Sequence, residues 1–204
     1  MREKTILSKT LAAILGLAMT MSTLPMTAFA AKVSLPTGMS KVSDDEQTLA
    51  PGITQNEVAF YDQYNRKQRM FLVTADLSVD TVSVETSYYN DQGDVWGLQR
   101  LTDQVAAAEA NHAGENYKVV AGINAAFFNT STGQPGGAFA INGEVHCTDA
   151  EGNNYPFFAI LKDGTAVIDK KGTWTQYKDR VAEAVQGYQM IVDNGKNQLT
   201  YNPG

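Results

Sequence analysis

Residues 119–143 read VVAGINAAFFNTSTGQPGGAFAING, and the reading of this stretch decides the fold. An apolar run from Val119 to Ile123 arrives at Asn124, passes Ala125 and Ala126 to Phe127 and Phe128, and opens into a polar, glycine-rich loop. The segment 117–123 is largely apolar without alternation, the pattern of a strand covered on both faces. The chain is therefore expected to carry Asn124 from a buried strand to a flexible rim.

Upstream, Val58 to Tyr61 and Met70 to Val73 carry strand signals. Val82, Val84, Thr86 and Tyr88 alternate with polar Ser83, Glu85 and Ser87, as in a sheet with one wet face. Leu98, Leu101, Val105 and Ala108 fall at helical spacing in an alanine-rich stretch, which predicts one amphipathic helix ending near Gly114. Downstream, Asn142-Gly143, Asp163-Gly164 and Asn194-Gly195 each separate two short apolar runs. Such dipeptides accept the positive φ of tight turns and predict three hairpins: Ala138 to Ile141 with Glu144 to Cys147, Phe157 to Leu161 with Thr165 to Asp169, and Tyr188 to Val192 with Lys196 to Tyr201. The expected fold class is α+β: a strand-dominated mixed or antiparallel sheet with one main amphipathic helix and several hairpins.

The chain begins differently. Arg2, Lys4 and Lys9 precede an apolar run, Leu11 to Met21, and Ala28-Phe29-Ala30 supplies small residues for cleavage, so residues 1–30 read as a secretory signal peptide. Residues 31–56 are polar, acidic and without apolar periodicity, as in a flexible N-terminal arm, and residues 57–204 are expected to fold as one domain. The mature protein is expected to be secreted and extracellular, with no membrane partner after signal cleavage. Loss of Arg2, Lys4, Lys9 and Glu3 with the signal takes the formal charge from −6 to −8, which disfavours nucleic acid. Cys147, the one cysteine, permits no internal disulfide and no lipid-modified N-terminus, and reads as a small packed hydrophobe more readily than as a reactive thiol.

The order WGLQRLTDQVAAAE, VVAGINAAFFNTSTGQPGG, INGEV, FFAILKDGTAVI, EAVQGYQMIVDNGK resembles the phosphodiester glycosidase domain, a family whose members include the enzyme that uncovers mannose 6-phosphate. The resemblance runs from about Val58 to the last residue. It is most specific at GINAAFFN and the Thr-Gly-x-Pro-x-Gly loop that follows. It implies hydrolysis of a phosphodiester at a sugar's anomeric carbon, releasing the sugar and leaving a phosphomonoester. Two departures stand out. The family pattern after the asparagine is a small residue, then commonly Asp or Gly, then two aromatics, and here the third position is Ala126. The Arg-Thr-Ala-like strand and Asp-Gly-Gly-Gly-Ser motif of the family do not occur in these residues, so the resemblance implies the N-terminal portion of the domain, with a sheet edge left open.

Asn124 offers two donors and an acceptor and can orient a phosphate oxygen or sugar hydroxyl; on the residues alone it equally satisfies backbone groups at a strand end. Phe127 and Phe128 should point to opposite faces, one into the core and one, taken as Phe128, as a wall for a sugar. In the loop, Asn129, Thr132, Gly133, Gly136 and Gly137 are candidates to approach the substrate through bare backbone N–H groups, an ordinary hairpin loop being the alternative. Asn129-Thr130-Ser131 also matches a glycosylation sequon. His112 is placed to cap the helix, whereas His146, after the Asn142-Gly143 turn, is the candidate for proton transfer or phosphate contact beside Asn124. Asp149, Glu151 and Asn153 are spaced faintly like a calcium loop but read by default as a solvated turn. No metal ligand set and no cofactor is assigned. The partner expected is a sugar-phosphate or glycan substrate in cell-wall or extracellular polymers. A non-catalytic carbohydrate-binding relative and a wall-associated surface module are the alternative readings.

Overall fold

The computed structural model describes residues 33–91 and 95–199. The expected signal peptide and Tyr201 of the last expected hairpin lie outside the described residues.

Strand β1 (Ser40–Ala50) pairs antiparallel with β2 (Ile53–Tyr61), and β2 with β3 (Lys67–Ala75), in a three-stranded sheet ordered β1-β2-β3. All of β1 falls in the polar stretch read as an arm. Its lack of apolar periodicity has a local cause: β1 is an edge strand with mostly exposed side chains. The central strand β2 buries every second residue, Thr54, Asn56 and Val58, the period of a pleated ribbon. At the β2–β3 turn Asp62 Oδ1 accepts from the backbone N–H groups of Tyr64 and Arg66, each at 2.9 Å.

Two expected strands do not form. Residues 83–88 take no regular structure, although Thr86 and Tyr88 are buried. The Thr86 N–H donates to the Glu183 carboxylate at 2.9 Å, so a side chain stands where a ladder partner was expected. Residues 117–125 also carry no strand, and Ile123 is 83% exposed. An apolar run makes a buried strand only where neighbouring strands accept its backbone bonds, and none does so here among the described residues. The helix is present but shorter: α1 covers Leu101–Asn111, and Leu98 lies outside it, exposed. His112 is its C-cap; the His112 ring stacks on Tyr117 at 4.3 Å, with Nδ1 2.9 Å from Glu115.

The remaining elements build an antiparallel five-stranded sheet ordered β5-β4-β8-β6-β7. The first two hairpins are as expected: β4 (Phe139–Ile141) with β5 (Glu144–Val145), and β6 (Phe157–Leu161) with β7 (Ala166–Asp169). In the first turn Asn142 and Gly143 have φ of 51° and 81°, as a two-residue hairpin requires. Strand β8 (Val181–Gln186) enters between β4 and β6. The short pair β9 (Val192–Asp193) and β10 (Lys196–Asn197) forms the third hairpin.

Ala138, Ala140, Phe157, Ala159, Leu161, Trp174, Val181 and Ala184 make the main core. Alanines on neighbouring strands leave room for Trp174, whose ring meets Phe157 edge to face at 5.2 Å. The four-residue helix α2 (Asp149–Gly152) covers it, and a Cβ at Gly152 would stand 2.0 Å from the Trp174 ring. Cys147 packs partly buried against this core, and burial pushes its thiol pKa up, as suits a packed residue. The protein is thus a strand-dominated α+β fold with one main helix.

Candidate functional site

The polypeptide turns sharply at Ala126. Its φ of 53° lies in the left-handed region, where a side chain costs about 1–2 kcal/mol. The turn ends the alternation expected along the strand. As a result Phe127 and Phe128 are both exposed, by 60% and 50%, and neither enters the core. Phe128 bridges Pro135 across the loop. Phe127 meets Tyr188 edge to face, with ring centroids 5.3 Å apart. Phe127 and Tyr188, and not Phe128, are the aromatic residues that line the cavity beside Asn124.

The loop 129–137 closes on itself. Asn129 Oδ1 accepts from Ser131 N–H at 2.8 Å, Asn129 carbonyl from Gly133 N–H at 2.7 Å, and Thr132 Oγ1 from Gln134 N–H at 3.3 Å. Gly136 N–H donates to the Phe127 carbonyl at 3.0 Å. These donors serve the turn, so the bare-backbone anion cradle does not form on them; Asn129 and Thr132 act as local turn caps. The glycines have other reasons. Gly133 (φ 82°) touches the Gly97 backbone, where a Cβ would stand 2.1 Å from its carbonyl oxygen. A Cβ at Gly137 would stand 2.4 Å from Gln186 Oε1. Gly137 therefore clears space for a glutamine side chain.

Gln186 ends β8, is 4% exposed, and its Oε1 has no hydrogen-bond partner among the described residues. Together with Asn124, Ala126, Phe127 and Tyr188 it lines a cavity of about 260 Å³. This is below the roughly 300–1,000 Å³ of pockets for drug-sized ligands, and suits a single ring. Asn124 is exposed at this cavity instead of closing a buried strand. A larger concavity of about 560 Å³ shares Tyr188 and is lined by Lys170, Lys171 and Asp193 among others.

His146 is elsewhere. Its ring lies among Tyr88, Trp96 and Phe139, with centroids 6.1 to 6.2 Å away, and it does not line the Asn124 cavity. Asp149 and Glu151 also have structural employment. Thr148 and Glu151 form a reciprocal capping box at α2, which holds the Glu151 carboxyl below its ordinary pKa, and Asp149 pairs with Lys178 at 2.7 Å.

The structure thus brings Asn124 to a cavity with Gln186, Phe127 and Tyr188, three residues that sequence reasoning did not select. One signal was present for Gln186: a polar residue closing the otherwise strand-like VAEAVQ, directly before a glycine. No curated protein matches the chain. Residues 117–204, which hold every residue lining this cavity, match the family model described as phosphodiester glycosidase, the family that the order of motifs resembles.

Proposed function

We propose that this protein is an exported hydrolase that cleaves a sugar 1-phosphodiester in a cell-wall or extracellular glycan. The coincidence of the glycosidase-type family match with the Asn124 cavity carries this reading. In the reaction, water adds across the linkage between the anomeric carbon and the phosphate, yielding the free sugar and a phosphomonoester of the remaining group. Asn124 orients the sugar or a phosphate oxygen through its amide. The phosphate is directed toward the neighbouring concavity with Lys170 and Lys171, and the exposed Phe127 and Tyr188 rings offer a stacking face. The described cavity lining holds no carboxylate. A phosphomonoester, with a second pKa of about 6, leaves more readily than an alkoxide, so positioning accounts for much of the rate in such a site. Export rests on the basic and apolar pattern of residues 1–30.

The test is release of free sugar from methyl esters of glucose 1-phosphate and N-acetylglucosamine 1-phosphate by the full native protein. Turnover above a heat-inactivated control supports the proposal, and binding without turnover would move the assignment to a carbohydrate-binding relative. That second reading is favoured by Ala126, which stands where the family pattern commonly has Asp or Gly and which, unlike Asp, cannot transfer a proton.

A further inference from the structure

An amide oxygen buried without a partner costs about 1–3 kcal/mol, and the chain reserves space for this one. Gln186 is 4% exposed, its Oε1 is unpartnered among the described residues, and Gly137 is bare where a Cβ would collide with Oε1 at 2.4 Å and Cδ at 2.8 Å. An apolar side chain of similar volume would fill the same space without that cost. The amide therefore has a use that the fold does not supply. Gln186 is one of the residues lining the cavity of Asn124 and the Phe127–Tyr188 ring pair, its buried Oε1 lying against Gly137, and that lining holds no charged side chain. A neutral ligand with a flat apolar face and groups that both donate and accept hydrogen bonds fits this set.

We propose that Gln186, Phe127 and Tyr188 form the subsite for the sugar ring, with Gln186 exchanging hydrogen bonds with ring hydroxyls; the choice of a sugar rests on the glycosidase reading above. A half-turn of the terminal amide torsion exchanges Oε1 and Nε2, so the carboxamide can present either an acceptor or a donor to a hydroxyl, which is itself both. The rings, which are exposed and fixed edge to face, provide the stacking surface.

Gln186→Leu in the full chain separates this role from a structural one. The Leu variant is expected to keep or raise Tm, while Kd for glucose 1-phosphate and N-acetylglucosamine 1-phosphate, followed by NMR titration, rises at least tenfold. KM for their methyl esters should rise in parallel, with kcat less affected. Gly137→Ala, which displaces the amide, should reproduce the affinity loss. A lower Tm or a misfolded Leu variant would show that the fold itself uses the amide, and would overturn the proposal. So would absent binding by the wild type, or unchanged Kd and KM in both variants. Gln186-dependent binding of the sugar phosphates without hydrolysis of either ester leaves this subsite standing and removes the hydrolytic reading. Hydrolysis with KM unchanged in the Leu variant does the reverse.

Discussion

Strand β8 buries two polar side chains, Glu183 within it and Gln186 at its end, and the fold treats them in opposite ways. Glu183, 7% exposed, has both carboxylate oxygens bonded at 2.9 Å: Oε2 accepts from Thr86 N–H and Oε1 from Asn142 N–H. It ties an irregular segment and the β4–β5 turn to the central strand. Gln186, three residues on, is as deeply buried but has no hydrogen-bond partner for its Oε1 among the described residues, and it is a residue that lines the cavity. A buried polar group that is fully bonded stabilises a unique arrangement, whereas one left unbonded marks a place where stability is given up, commonly for binding or catalysis. Burial and polarity do not distinguish these residues; their bonding does.

The largest effect is expected from Glu183→Ala. The buried N–H of Thr86 and the part-buried N–H of Asn142 lose their acceptors, the buried one at about 1–3 kcal/mol, so a loss of about 2–3 kcal/mol is expected in urea denaturation. A loss under 1 kcal/mol would break the contrast, because Glu183 would then be no more structural than Gln186.

The Gln186→Leu variant tests the other residue: its Tm should hold while affinity for sugar phosphates falls at least tenfold, about 1.4 kcal/mol of binding energy. Together the two variants should separate stability from ligand binding along a single strand.

The carboxyl of Glu183 adds a pH signature. Burial raises its pKa above the ordinary 4.5, against the lowering effect of the two backbone donors. The folded state then holds the proton more firmly than the unfolded chain. That contribution to stability is complete below 4.5 and is lost as pH rises through the folded value. Wild-type stability should therefore fall relative to Glu183→Gln as pH climbs from 4.5, in parallel denaturation curves. A difference independent of pH would show that burial does not govern this carboxyl.

The smallest expected effect concerns Ala126. Relief of its left-handed φ by Ala126→Gly should raise stability by about 1 kcal/mol, read as a higher urea midpoint. If sugar-phosphate affinity falls in the same variant, the turn joins Gln186 as stability surrendered at the cavity. The φ also explains why Asp or Gly suits this position in the family pattern, since both tolerate left-handed backbone better than alanine. Ala126→Asp then serves as a second probe, in which turnover gained with no change in stability would assign the acid a chemical role.

Much of the fold was legible because its signals are local. Asn142-Gly143 and Asp163-Gly164 encode turns through backbone φ, and both hairpins form where expected, as does the short Asn194-Gly195 hairpin. The helix was legible from its spacing, though Leu98 was not part of it. The order of motifs resembles the phosphodiester glycosidase domain, and residues 117–204 match that family's model. Asn124 was chosen from sequence and does reach a cavity.

The sequence could not decide what lies beside what. A run such as 117–123 looks like a buried strand, but strand formation is a pairing between distant segments, and no described strand pairs with it. Phe127 and Phe128 looked like alternating positions until the positive φ at Ala126 turned both outward. His146 was expected opposite the glycine-rich loop but packs among Tyr88, Trp96 and Phe139, while Gln186 lines the cavity with Asn124. Turn chemistry and hydrophobic period act within a few residues, so the sequence alone determined the hairpins and the helix. The neighbours of Asn124 come from opposite ends of the 124–188 segment, so only the tertiary structure, in which Gly137 yields its space to Gln186, decided the make-up of the cavity.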